Sequence, residues 1–120
     1  APSIFANTEL PLSIPMGATH SLEIQYVLNT AETMLERGAG EAQMALSEAM
    51  LTYWSQFAKT GDPNPADGGG VNWPAFTFGG NMLRLDAPTI GTRSAAEFSE
   101  IHRCSYWAEQ YSSISPTLRP

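Results

Sequence analysis

The chain has 120 residues, 42% of them apolar and 15% charged. That describes one domain or a piece of one, too apolar to be disordered and poorer in charge than the roughly 25% of an ordinary soluble domain. Six basic against twelve acidic side chains leave a net charge of −6, and Arg37, Lys59, Arg84, Arg93, Arg103 and Arg119 are scattered, which leaves no footprint for nucleic acid or anionic lipid.

No apolar run approaches the roughly 20 residues of a membrane span. Ala1-Pro2-Ser3 lacks the basic region and apolar block of a signal peptide, and without Met it is not expected to be a native translation start. The lone Cys104 excludes an internal disulfide and a cysteine-rich zinc site, and leaves the compartment open. So little charge on so short a chain, with so much surface per volume, predicts neighbours that cover part of it.

In chain order, Ile4-Phe5 after Pro2 reads as the tail of a strand, and residues 7–15, with Pro11 and Pro15, as a loop. Met16-Gly17-Ala18-Thr19-His20 is a stretch of small residues ending in a histidine. Leu22, Ile24, Tyr26, Val27 and Leu28 form an apolar patch that is too short for periodicity to decide between helix and strand. If it is a helix, Ser21 could cap it, with Glu23 in its first turn.

Residues 41–60 carry the clearest pattern. Met50, Tyr53, Trp54, Phe57 and Ala58 fall on one helical stripe, and Met44, Leu46 and Ala49 extend it toward the start. Glu41 and Lys59 suit the two ends of the helix dipole; Gly61 is placed to terminate it, with Pro63 beyond.

Gly-Asp-Pro-Asn-Pro and the run Gly68-Gly69-Gly70 predict a loop, and Trp73-Pro74 opens an extended segment. Met82-Leu83-Arg84-Leu85-Asp86 alternates as a short strand does. Residues 98–111 read as a single second helix, with Phe98, Ile101 and Tyr106 spaced along it and Trp107 and Tyr111 adjoining. The aromatic faces of these two helices need a substantial partner. The segment is therefore expected to pack on a sheet that it does not contain.

His20 is the sharpest candidate for chemistry, a titratable ring on a loop beside packed structure, where general bases are found. Taken alone, a single histidine is more often a structural one. His102 and Cys104 have no third ligand nearby for a metal, and at i and i+2 on one helix they point apart. Gly68-Gly69-Gly70 lacks the Lys-Ser/Thr ending of a phosphate loop, and Asp62, Asn64 and Asp67 do not match calcium-loop spacing. No Gly-x-Ser-x-Gly nucleophile elbow occurs.

Three segments together suggest a family. Gly17-Ala18-Thr19-His20-Ser21-Leu22-Glu23-Ile24-Gln25-Tyr26-Val27-Leu28 resembles the catalytic-histidine segment of type-B carboxylesterases, where Gly usually stands at the place of Ser21 and Phe at that of Leu28. Tyr53-Trp54-Ser55-Gln56-Phe57-Ala58-Lys59-Thr60-Gly61-Asp62-Pro63-Asn64, followed by Trp73-Pro74, resembles the family's Tyr-Trp-Thr-x-Phe-Ala-x-Thr-Gly-Asp-Pro-Asn helix end. His102-Arg103-Cys104-Ser105-Tyr106-Trp107 resembles the closing motif of its bacterial members. The three occur in the family's order.

The resemblance implies the C-terminal part of a single α/β-hydrolase domain over residues 1–120: last strand, histidine loop and closing helices. It implies a serine carboxylesterase in which His20 is the catalytic base, with Glu23 a candidate to steady its loop. Met16, Leu22 and Tyr26 are candidates to line a substrate pocket, although core packing suits them too. The nucleophilic serine, the acidic triad member and the oxyanion hole are expected upstream, since the family's chain order is Ser, then Glu or Asp, then His.

The implied partners are therefore a larger N-terminal fragment of the same enzyme and a small ester substrate. Nucleic acid, a membrane span, metals and organic cofactors are not implied. Cys104 corresponds to a disulfide-bonded position in the secreted animal members. The same fold family includes adhesion and hormone-precursor proteins that have lost the triad, which keeps a binding protein as the alternative.

Overall fold

The computed structural model describes residues 20–77 and 79–114. The strand and loop expected within 1–19, and Met16, lie outside them. Helix α1 covers Glu23–Val27, α2 Ala31–Glu36, α3 Glu41–Thr60, α4 Ala95–Ile101 and α5 Cys104–Ile114; strands β1, Asn81–Arg84, and β2, Gly91–Ser94, pair as a two-stranded ribbon. The described chain is thus rich in helix, with two short strands. It divides into two units, residues 20–73 with 83–91 and residues 74–82 with 92–114.

In the first unit α3 is the scaffold. Gly40 precedes it, with its N–H bonded to Gln43 Oε1 at 3.1 Å. Gly61 ends it at φ 78°, donating to the Phe57 carbonyl at 2.8 Å. A left-handed terminus of that kind is the role the sequence predicts for glycine. Leu46, Ser47, Met50 and Tyr53 form the buried face of α3, while Leu51, Trp54 and Phe57 are exposed. Only part of the apolar stripe is covered by this chain.

The patch at 22–28 is helical. Five residues cannot sustain a helix in isolation, so α1 depends on packing. It lies along α3 and inserts Tyr26, fully buried, into a core with Met34, Ala39, Leu46 and Met50. Val27, Met44, Leu85, Ala87 and Ile90 cover that core.

Helix α2 has no counterpart in the sequence reading, although its end carries a local signal. Gly38, at φ 84°, donates to the Leu35 carbonyl at 2.9 Å, and Ala39 donates to the Met34 carbonyl at 2.9 Å. This is a Schellman ending, and its hydrophobic pair, Met34 and Ala39, joins the core.

The loop after α3 is held by side chains. Asp62 Oδ1 accepts from the Asn64 N–H at 2.9 Å. The Asn64 amide meets Trp73 on both edges: Nδ2 donates to its carbonyl at 3.0 Å and Oδ1 accepts its N–H at 2.6 Å. Tyr53 Oη donates to the Val71 carbonyl at 2.6 Å, and the Trp73 ring packs against Tyr53 at 5.6 Å and Trp54 at 5.3 Å between centroids.

From residue 81 onward the structure corrects two readings. The strand read at 82–86 is Asn81–Arg84, and Leu85 leaves it to pack on the first unit's own core. The helix read as continuous over 98–111 is two helices, because Arg103 adopts φ 51° between them. Sterics disfavour the left-handed region for a residue with a Cβ, and no helix runs through it.

Helix α4 begins with a capping box. Ser94 Oγ accepts the Glu97 N–H at 3.2 Å, and Glu97 Oε2 accepts the Ser94 N–H at 3.1 Å. Ser-x-x-Glu was the local signal for that boundary. Among the described residues of the second unit none is fully buried; Phe98, Ile101, Tyr106, Trp107 and Tyr111 are exposed.

Candidate functional site

His20 is exposed and lies on a turn that runs straight into α1. The next residue, Ser21, has φ 70°, in the left-handed region that favours glycine. Its carbonyl accepts the Ile24 N–H at 3.4 Å. The helix begins after Leu22, with no side-chain cap. The expectation that Ser21 caps α1 is therefore corrected: the residue makes the bend that starts the helix rather than closing it with its hydroxyl.

Of the other candidates, Glu23 is exposed in the first turn of α1. Leu22 and Tyr26 lie four residues apart on one helix face and are both buried, at 6% and 0% exposure. Tyr26 belongs to the hydrophobic core. Burial raises its phenol above the ordinary value of 10.0, since an ionised ring would lose its hydration. Ile24, of the same apolar patch, is half exposed.

The anchor the sequence did not reveal is Ser47. It is fully buried on α3, and its Oγ lies 2.8 Å from the Tyr26 carbonyl and 3.2 Å from Asn29 Oδ1. A hydroxyl has one proton to donate; the shorter contact, to Tyr26, takes it. A polar residue in the middle of an apolar stripe was the one available signal.

His102 and Cys104 are not brought together as a site. They flank the break at Arg103, His102 just after α4 and Cys104 at the start of α5, and the His102 ring packs on Phe98 with centroids 4.2 Å apart. Cys104 is a free thiol, half-buried. Among the described residues no group of three or more His, Cys, Asp or Glu side chains could hold a metal ion, and no helix is long and apolar enough to cross a membrane.

Comparison with known proteins gives matches along most of the chain. A family model described as the carboxylesterase family matches residues 3–107. Carboxylesterase 5A of Felis catus is 43% identical over 74 residues, 58% of this chain and 13% of its own length. The bile salt-activated lipase of Homo sapiens is 30% identical over 104 residues, 86% of this chain and 14% of its own. Liver carboxylesterase 1 of Oryctolagus cuniculus is 33% identical over 91 residues, 75% of this chain and 14% of its own. The chain thus spans only about one seventh of the length of the curated relatives it matches. The match to the family model runs through the histidine turn, the whole of α3 and the ribbon, and on that extent the chain belongs to the carboxylesterase family.

Proposed function

We propose that this chain supplies the general base of a serine carboxylic-ester hydrolase, with His20 as that base. One observation carries the reading: in a chain of this family, the histidine of the matched segment is exposed at the lip of a turn whose far side is anchored in a core. A base must reach a proton on another group while its backbone stays still. An exposed ring next to a helix that buries Tyr26 completely meets both demands.

The chemistry follows from the imidazole. His20 takes the proton of an upstream serine hydroxyl as its oxygen attacks the ester carbonyl, and the carbonyl electron pair moves onto oxygen. The tetrahedral adduct collapses, the C–O bond to the alcohol breaks, and His20 returns the proton to the leaving alkoxide. Water then gives a proton to His20 as its oxygen adds to the acyl carbon; this second adduct collapses, the bond to the serine oxygen breaks, and His20 returns the proton to that oxygen, which frees the acid and restores the serine. An upstream carboxylate holds the tautomer of the ring; the place of Glu23 in the first turn of α1, where a negative charge suits the helix dipole, is what supports a role for it in steadying the turn. Of the pocket candidates, the burial of Leu22 and Tyr26 supports their role as packing beneath the turn.

The chain is the C-terminal portion of one α/β-hydrolase domain, completed by a larger N-terminal fragment of the same enzyme that carries the nucleophile. Supporting this are the uncovered aromatics of α3 and α5, a second unit whose described residues form no core of its own, and the small share of each relative that is matched. Expressed alone, such a piece stays molten or insoluble. The finer likeness to bacterial members rests on the His102 to Trp107 motif alone; the relatives named above are mammalian.

The test is His20→Asn in the complete enzyme, assayed on a nitrophenyl ester. A loss of turnover of at least about a thousandfold is expected, in line with removal of a triad member. Turnover near that of the unmodified enzyme would sink the reading.

A further inference from the structure

Three described residues other than glycine have positive φ: Ser21, Asn29 and Arg103. Asparagine tolerates this region, and Arg103 simply separates two exposed helices. Ser21 is different. It is bonded directly to His20, and the helix on its other side is held by burial and a hydrogen bond. Leu22 is 6% exposed and Tyr26 is 0% exposed, and Ser47 holds the Tyr26 carbonyl at 2.8 Å. The bend is thus borne at one residue by a fixed anchor, as backbone strain at working sites is.

The bend decides where His20 stands. With Ser21 in the right-handed region, α1 would extend backward through it. Each added residue then turns about 100° around the helix axis, and His20 would leave from a different side of α1. His20 is exposed, so packing within this chain does little to fix its direction. What fixes it is the left-handed turn between the ring and the anchor.

We propose that Ser21 is a positioning residue for the reaction, acting through its backbone: its left-handed conformation aims the His20 imidazole, and its hydroxyl is not what matters. This rests on the reading of His20 as the base. The proposal predicts that activity at position 21 follows tolerance of positive φ and not side-chain polarity. Gly adopts that region freely, Asn is enriched in it, and β-branched residues are outliers there.

The experiment is a series at position 21 in the complete enzyme, measured as kcat and KM on a nitrophenyl ester with thermal unfolding alongside. Ser21→Val is expected to lower kcat at least about tenfold with KM within about twofold, while Ser21→Gly and Ser21→Asn recover kcat to within about threefold of the original. Should the valine variant fail to fold, Ser21→Thr takes its place, since it keeps the hydroxyl and adds the β-branch; it is expected to lose kcat as valine does. Full activity of the threonine variant, or equal losses in the glycine and asparagine variants, overturns the proposal, because the hydroxyl would then be the working part. If His20→Asn abolishes turnover and the series at 21 is flat, only this inference fails. If His20→Asn is active, the reading of the base fails first.

Discussion

The Ser47 hydroxyl donates to the carbonyl of Tyr26 across 21 residues of sequence, at 2.8 Å and fully buried. It joins the longest of the described helices to the shortest. A five-residue helix has too few internal hydrogen bonds to persist without such ties. The turn that carries His20 is therefore only as steady as the α1–α3 contact beneath it.

Removing that hydroxyl tests the tie. Ser47→Ala should cost about 1 kcal/mol, the net worth of a buried neutral hydrogen bond. Ser47→Leu should cost more, about 1–3 kcal/mol, because a side chain with no exposed surface has no room to grow. Thermal unfolding gives both values. Equal stability of the leucine variant and the original would show that α1 and α3 are not packed as described.

Burial of the Tyr26 ring gives alkaline pH a direction. Its phenol is raised above 10.0, so the unfolded chain ionises at a lower pH than the folded one. The stability this group contributes is complete below about pH 10 and is lost as pH rises through the raised folded value. Tyr26→Phe removes the effect. The melting temperature of the original should fall toward, or further below, that of the variant above about pH 10; a gap that stays constant from about pH 8 to 11 would contradict the burial.

Two glycines with similar backbone angles should respond differently to a methyl group. At Gly61, φ 78°, an added Cβ meets nothing within 4 Å; at Gly70, φ 82°, it would lie 2.9 Å from Tyr53 Oη. Gly61→Ala should cost about 1 kcal/mol for the left-handed backbone alone. Gly70→Ala should cost about 1–2 kcal/mol more, since the displaced hydroxyl is the one that donates to the Val71 carbonyl. Chemical denaturation of both variants measures the difference. Equal losses would mean that Tyr53 yields without penalty.

Some of the site was legible without coordinates, and some was not. The boundaries of α3 could be read because glycine at 61 and the apolar spacing before it are local signals. The role of Asn64 could not. The Gly-Asp-Pro-Asn run announces a loop, yet the asparagine binds both edges of Trp73, a partner nine residues away that no turn rule selects. Ser47 stayed hidden for a similar reason: one serine in an apolar stripe looks like a gap until the carbonyl it meets is known.

What the order of residues determined by itself was the kinship, the helical stripe of 41–60 and the place of the histidine, because each is written in neighbours a few positions apart. Tertiary structure alone decided that 22–28 is a helix, that only part of the aromatic stripe is covered, that the closing helix breaks at Arg103, and that Ser21 bends left-handed. Periodicity records which faces are apolar. Which of them is buried, and which residue bears the strain of a turn, depends on groups far away in the chain that fix its two ends.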